Sequence, residues 1–152
     1  MNRLRLLCMP LAIGFGLTFI SVASPQTLPP TVTEKVQAAQ KQIKTIGTDE
    51  YRNIVDHPAG TLIVDVRGPQ EFAAGHVPGA INIPRGVLEF TIWKQVGYPT
   101  NTQMDQPSVL QCQSGKRASL AAQTLMEIGF TQVSAVIMGL EDRQKAGHPF
   151  EK

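Results

Sequence analysis

Six consecutive residues, Cys112-Gln113-Ser114-Gly115-Lys116-Arg117, gather a nucleophile, a residue that lets the backbone curl, and two cations. The thiolate is the nucleophilic form of cysteine, and neighbouring Lys and Arg favour it. Taken by itself, a lone cysteine reads first as a small buried hydrophobe. Position reverses that reading. Val109-Leu110-Gln111 runs into Cys112 as an apolar strand, and residues 118–128 carry Ala118, Ala121, Ala122, Leu125 and Ile128 on one helical face before Gly129. In an open α/β sheet, ligands bind where strands end. A strand–loop–helix turn also aims backbone N–H groups at one point, at the positive end of the helix. Gln113, Ser114, Gly115, Lys116 and Arg117 therefore form a candidate anion cradle around Cys112, with Gly115 allowing the tight turn.

The elements that must position this loop follow from the apolar pattern. Val32, Val36, Ala39, Ile43 and Ile46 recur at spacings of three and four, which predicts an amphipathic helix over 32–46. A short helix over 48–55 ends at His57-Pro58-Ala59-Gly60. Strands are expected at 62–66, 80–83, 109–111 and 133–137. Between them come a helical turn at 69–74, a loop at 75–79, a helical stretch at 88–94 and an irregular segment at 97–107. The tail from Gly139 is polar. Strands alternating with helices imply an α/β layer structure with a mainly parallel sheet.

The first 23 residues are set apart. Arg3 and Arg5 precede an apolar run from Leu6 to Val22, and Ser21-Val22-Ala23 offers small residues for a cut after Ala23. Pro10, Gly14 and Gly16 weaken the alternative of a membrane-spanning helix. The expected organisation is a signal peptide over 1–23, a linker and helix over 24–47, and one domain over 48–152. An exported protein follows, periplasmic if the source is a Gram-negative bacterium, with no stable membrane association after cleavage. Cys8 lies ahead of most of the apolar run, so it is not a lipid-bearing cysteine, and Cys112 is left as the one cysteine of the mature chain. That excludes an internal disulfide. Without Arg3 and Arg5 the chain carries 12 Lys and Arg against 12 Asp and Glu. No basic run remains, so nucleic acid is not an expected partner. One cysteine and three scattered histidines give no metal-binding pattern.

Two stretches in register resemble the rhodanese family. The first is Asp65-Val66-Arg67, Glu71-Phe72 and the run from Gly75-His76-Val77-Pro78-Gly79 through Ile83-Pro84. The second is the Cys112 loop, with Ala121-Ala122, Leu125 and Gly129-Phe130 behind it. The resemblance covers residues 48–149 and implies a five-stranded, mainly parallel central sheet flanked by helices. It also implies a sulfurtransferase in which Cys112 attacks the outer sulfur of a small anionic donor such as thiosulfate. A Cys112 persulfide forms, and cyanide or a thiol takes the sulfur. Loop amides from Gln113 to Arg117 would steady the anion, and Lys116 and Arg117 would hold the donor's oxygens. No metal or organic cofactor is needed. Four residues separate Cys112 from Arg117, one fewer than in cysteine-loop phosphatases, and the narrower cradle suits a single sulfur atom. The rival readings are a non-catalytic persulfide-binding or redox-sensing module and, after it, a phosphatase.

Other residues take plainer roles. Asp65 with Arg67 is expected as an ion pair fixing a loop, His76 as a structural hydrogen-bonder, and Arg85 as a solvated charge. Phe90 and Trp93 are expected in core or lid packing. The sequence departs from the family near its end. Met138-Gly139 replaces a glycine pair, and Arg143 stands where a tryptophan is expected, which should alter the packing under the last helix.

Overall fold

A computed structural model describes residues 28–152. The expected signal peptide over 1–23, with Cys8, and residues 24–27 of the expected linker lie outside the described residues. The elements in order are α1 (Pro30–Gln40), β1 (Lys44–Ile46), α2 (Thr48–Asp56), β2 (Leu62–Asp65), α3 (Pro69–Ala73) and β3 (Ile81–Asn82). Then come α4 (Leu88–Thr91), β4 (Ser108–Gln111), α5 (Lys116–Glu127), β5 (Val133–Val136) and α6 (Leu140–Lys145). Single 3-10 stretches, Arg85–Val87 and Ile92–Val96, flank α4.

The five strands form one sheet in the order β1-β5-β4-β2-β3, with every pairing parallel. Parallel strands need crossovers, and helices supply them on both faces. One core gathers Ile43, Val64, Leu110, Ala118, Ala122 and Leu125; the other gathers Ile46, Tyr51, Ile63, Val109 and Val136. β4 lies between β5 and β2, and all four of its residues are buried. A strand covered on both faces reads as a continuous apolar run, which is why Val109-Leu110 announces it.

The N-terminal helix is shorter than the periodicity predicts. α1 stops at Gln40, and residues 44–46 are the edge strand β1, in register with Ser134, Ala135 and Val136. Three-residue spacing puts side chains on one face of a helix but on opposite faces of a strand. Ile43 and Ile46 accordingly enter different cores. A strand of three residues is too short to show alternation, so the helical period ran through it. The tail is less exposed than its polar composition suggests: in α6, Leu140 and Arg143 are buried.

Candidate active site

Cys112 follows β4 directly, and α5 begins four residues later. The residue is 2% exposed. Its Sγ accepts a hydrogen bond from the Ala118 amide at 3.4 Å, in the first turn of α5. Among the loop amides expected to cradle the sulfur, none from Gln113 to Arg117 bonds it here; the donor in place is one residue further on. The loop is held from three sides. Ser119 donates through its amide and Oγ to the Gly115 carbonyl at 2.9 and 2.8 Å. Leu140 N donates to Gln113 O at 2.8 Å, which ties α6 to the loop. Gly115 has φ +78° and runs against β5, where an added Cβ would lie 2.7 Å from Ile137 Cα and 2.9 Å from the Val136 carbonyl oxygen. Only glycine fits both the left-handed backbone and that approach.

Beneath the loop the strand ends are locked by buried polar groups. Arg67 Nη2 and Nε donate to Asp65 Oδ2 at 2.7 and 2.9 Å, and Gln111 Nε2 donates to the same oxygen at 3.0 Å. The Tyr51 hydroxyl donates to Gln111 Oε1 at 2.7 Å. Burial, above all, pushes the Tyr51 phenol well up from its ordinary value, so it stays a neutral donor. Arg67 also donates to the Gly75 carbonyl at 2.8 Å, and Asn82 to the carbonyls of Asp65 and Arg67. Asp65 and Arg67 are thus the expected ion pair, 0% and 3% exposed, and they clamp β2, β3 and β4 together.

Arg117 is placed differently from the expectation of a free fork for donor oxygens. Its Nη1 and Nη2 donate to Glu71 Oε2 and Oε1, both at 2.7 Å. Gly68 N holds the same carboxylate at 3.0 Å. The Arg117 hydrogen bonds, more than any other cause, lower Glu71 from its ordinary 4.5 to about 2. Glu71 in turn raises Arg117 above its ordinary value, and the Cys112 sulfur beside it adds to that rise. Lys116 is exposed at the start of α5, while Gln113 is half-buried and Ser114 exposed. An opening beside the loop is lined by Gln113, Ser114, Gly139, Glu141 and Asp142. Roomier hollows lie elsewhere, one at the opposite ends of the strands around Thr61, Ser108 and Ser134, far from the loop chemistry.

The remaining candidates sort by burial. His76 stacks on Phe72 at 3.8 Å, its Nδ1 is 3.1 Å from Phe72 O, and its Nε2 is 3.3 Å from Glu151. Trp93 packs against Phe130 at 5.8 Å and donates to Glu89 O. Phe90 corrects the packing expectation, because it is 83% exposed. Arg85 is half-buried, with Nε covered and unbonded, rather than a solvated charge. Arg143 lies 4.8 Å over the Tyr51 ring, 1% exposed, and among the described residues no guanidinium nitrogen of it has a hydrogen-bond partner. The Met138 sulfur accepts from the Thr48 hydroxyl. Glu71, Tyr51 and Gln111 join the site through contacts that span 46 and 60 residues of sequence, which local spacing does not reveal.

An all-parallel sheet with a cysteine loop between its central strand and the following helix defines the class: an α/β protein that presents a cysteine at the carboxyl end of a strand. The comparisons narrow that class. The rhodanese-like domain model matches residues 47–146, and the chain belongs to that family. A candidate sulfur carrier protein of Bacillus subtilis (strain 168), YrkF, is 31% identical over 100 residues, covering 66% of this chain. The chain spans half the length of that curated relative. A Rhodopseudomonas palustris CGA009 protein of unknown function, RPA3614, described as a candidate tyrosine phosphatase, superposes with TM-score 0.68 at 29% identity. It covers 84% of this chain and 99% of its own. The polysulfide-sulfur transferase homodimer of Wolinella succinogenes superposes with TM-score 0.65 at 25% identity, over 80% of this chain and 87% of its own.

Proposed function

We propose that this chain is an exported sulfurtransferase that carries sulfane sulfur as a persulfide on Cys112. The observation that carries the reading is the placement of the Cys112 sulfur at the end of β4, receiving an amide from the first turn of α5. That amide and the positive end of α5 are placed to steady negative charge on sulfur as the reaction develops it. In the first step the thiolate attacks the outer sulfur of thiosulfate or a related persulfide. The donor's S–S bond breaks, and sulfite or a thiolate leaves with the electron pair. In the second step cyanide or a thiol takes the outer sulfur and the Cys112 thiolate is restored. The cycle is covalent and ping-pong, and Gln113, Ser114, Gly115, Lys116 and Arg117 surround it. The sulfur-carrier and sulfur-transferase relatives support the same chemistry.

Steady-state thiocyanate formation tests the proposal. Parallel double-reciprocal lines for donor and cyanide, lost in Cys112→Ser, are the expected result. The R. palustris likeness is the observation that favours a phosphatase. The four-residue spacing from Cys112 to Arg117 and the filled Arg117 fork weigh against it. Hydrolysis of an aryl phosphate without thiocyanate formation would reverse that judgement. Export rests on Arg3, Arg5, the apolar run and Ser21-Val22-Ala23. N-terminal mass analysis of exported protein, expected to begin at Ser24, checks it.

A further inference from the structure

Arg117 is the arm that the loop offers to an anionic donor, and Glu71 has taken it. The carboxylate binds both terminal nitrogens at 2.7 Å. It occupies the same two parallel N–H groups that a sulfonate head would use. Glu71 is not a loose surface partner, because the Gly68 amide at the start of α3 fixes Oε2 from behind. The pair stands at the surface, its side chains 40% and 42% exposed, beside a cysteine that is 2% exposed. Protonation does not vacate the fork at working pH, since Arg117 holds Glu71 down to about 2.

The charges left at the loop are sparse. Arg117 and Glu71 cancel. Lys116 is an exposed point charge without a fork. Across the loop, Glu141 and Asp142 line the opening with Gln113 and Ser114. Thiosulfate carries two charges, shared between its outer sulfur and a three-oxygen head, and among the described residues of the loop it meets only the Lys116 ammonium outside the Arg117–Glu71 pair. An alkyl persulfide anion carries one charge on sulfur and needs no oxygen clamp. Its step balances without a further reactant: the Cys112 thiolate bonds to the outer sulfur, the donor S–S bond breaks, and the alkyl thiolate departs with the pair.

Resting on the sulfur-carrier reading above, we infer that Glu71 sets donor specificity: by filling the Arg117 fork, it turns the site toward singly charged alkyl persulfides and away from thiosulfate. The test compares kcat/KM for thiosulfate and for ethyl persulfide, a donor with no carboxylate, with cyanide as acceptor, in the full chain, Glu71→Gln, and Glu71→Gln with Arg117→Gln. Glutamine keeps an oxygen for the Gly68 amide while weakening the hold on Arg117. The thiosulfate-to-persulfide ratio should rise about tenfold in Glu71→Gln, the gain of one charge-assisted hydrogen bond. It should fall back in the double variant. An unchanged ratio, or a parallel loss with both donors, overturns the inference and leaves Glu71 a structural residue. A second measurement uses the unaltered chain: sulfate at constant ionic strength should not protect Cys112 from alkylation, and clear protection would show an open fork. If neither donor loads sulfur onto the unaltered chain, the sulfur-carrier reading itself fails, a result distinct from an unchanged ratio.

Discussion

Replacing Gly115 by alanine probes the geometry that brings Cys112 to its place. The residue sits at φ +78°, and an added Cβ would lie 2.7 Å from Ile137 Cα and 2.9 Å from both Ile137 C and Val136 O. A left-handed backbone costs a non-glycine residue about 1–2 kcal/mol. The contact is roughly 1 Å short of an ordinary carbon–carbon approach. Its partners are backbone atoms that cannot swing aside, since β5 is paired on both edges and Ile137 N bonds Ile46 O at 3.2 Å. Overpacking of this kind adds about 1–3 kcal/mol. Gly60 provides the control, with φ +82° and nothing within 4 Å of its would-be Cβ. Urea unfolding followed by Trp93 fluorescence should show Gly115→Ala losing about 1–3 kcal/mol more than Gly60→Ala, the contact alone. Sulfur loading should fall on the order of 100-fold, the effect of a displacement near 1 Å at a reacting group. Equal losses in the two variants, with wild-type loading in Gly115→Ala, would refute the reasoning.

Three further outcomes follow from the buried and paired charges. Asp65→Asn strands Arg67, which is 3% exposed, and should cost about 3–5 kcal/mol in chemical denaturation. Adding Arg67→Met should recover part of that loss, and no recovery would mean Asp65 acts through Gln111 instead. Arg143→Met removes a buried cation that has no hydrogen-bond partner among the described residues, so stability should rise by about 1 kcal/mol despite the lost cation–π contact; a large loss would reveal a partner for the guanidinium. Glu71 is lowered from 4.5 to about 2, so its contribution is complete above its ordinary value and drains away as pH falls toward 2. Glu71→Gln should flatten the stability profile in that window, while an unchanged acid limb would place the Glu71–Arg117 pair outside the stability balance.

What the sequence made legible was local. The Cys112 loop, its preceding strand and its following helix are contiguous, so a strand's apolar run and a helix's period sufficed to place them. The Asp65–Arg67 pair spans two residues and was equally readable. What escaped was set by the sheet. Glu71 reaches Arg117 across 46 residues, and Tyr51 reaches Gln111 across 60. Nothing in their spacing joins them; they meet because β2 and β4 are neighbours and α2 packs over that face. The buried Gln111 carried a usable hint, since an amide inside an apolar strand must find partners. β1 was hidden for the same reason: its three residues are a strand because β5 offers an open edge, not because their own pattern demands it. Phe90 shows the converse, an aromatic that composition assigns to packing and the surface keeps.

The most direct test of Cys112 as a sulfur carrier is the intact mass of the protein before and after incubation with cysteine persulfide or thiosulfate, with Cys112→Ser alongside. A gain of one sulfur atom is expected, reversed by cyanide with release of thiocyanate and absent in the variant. An unchanged mass with both donors, while Cys112 still alkylates readily at neutral pH, would contradict it and leave a redox-sensing or binding module in place of a sulfur carrier.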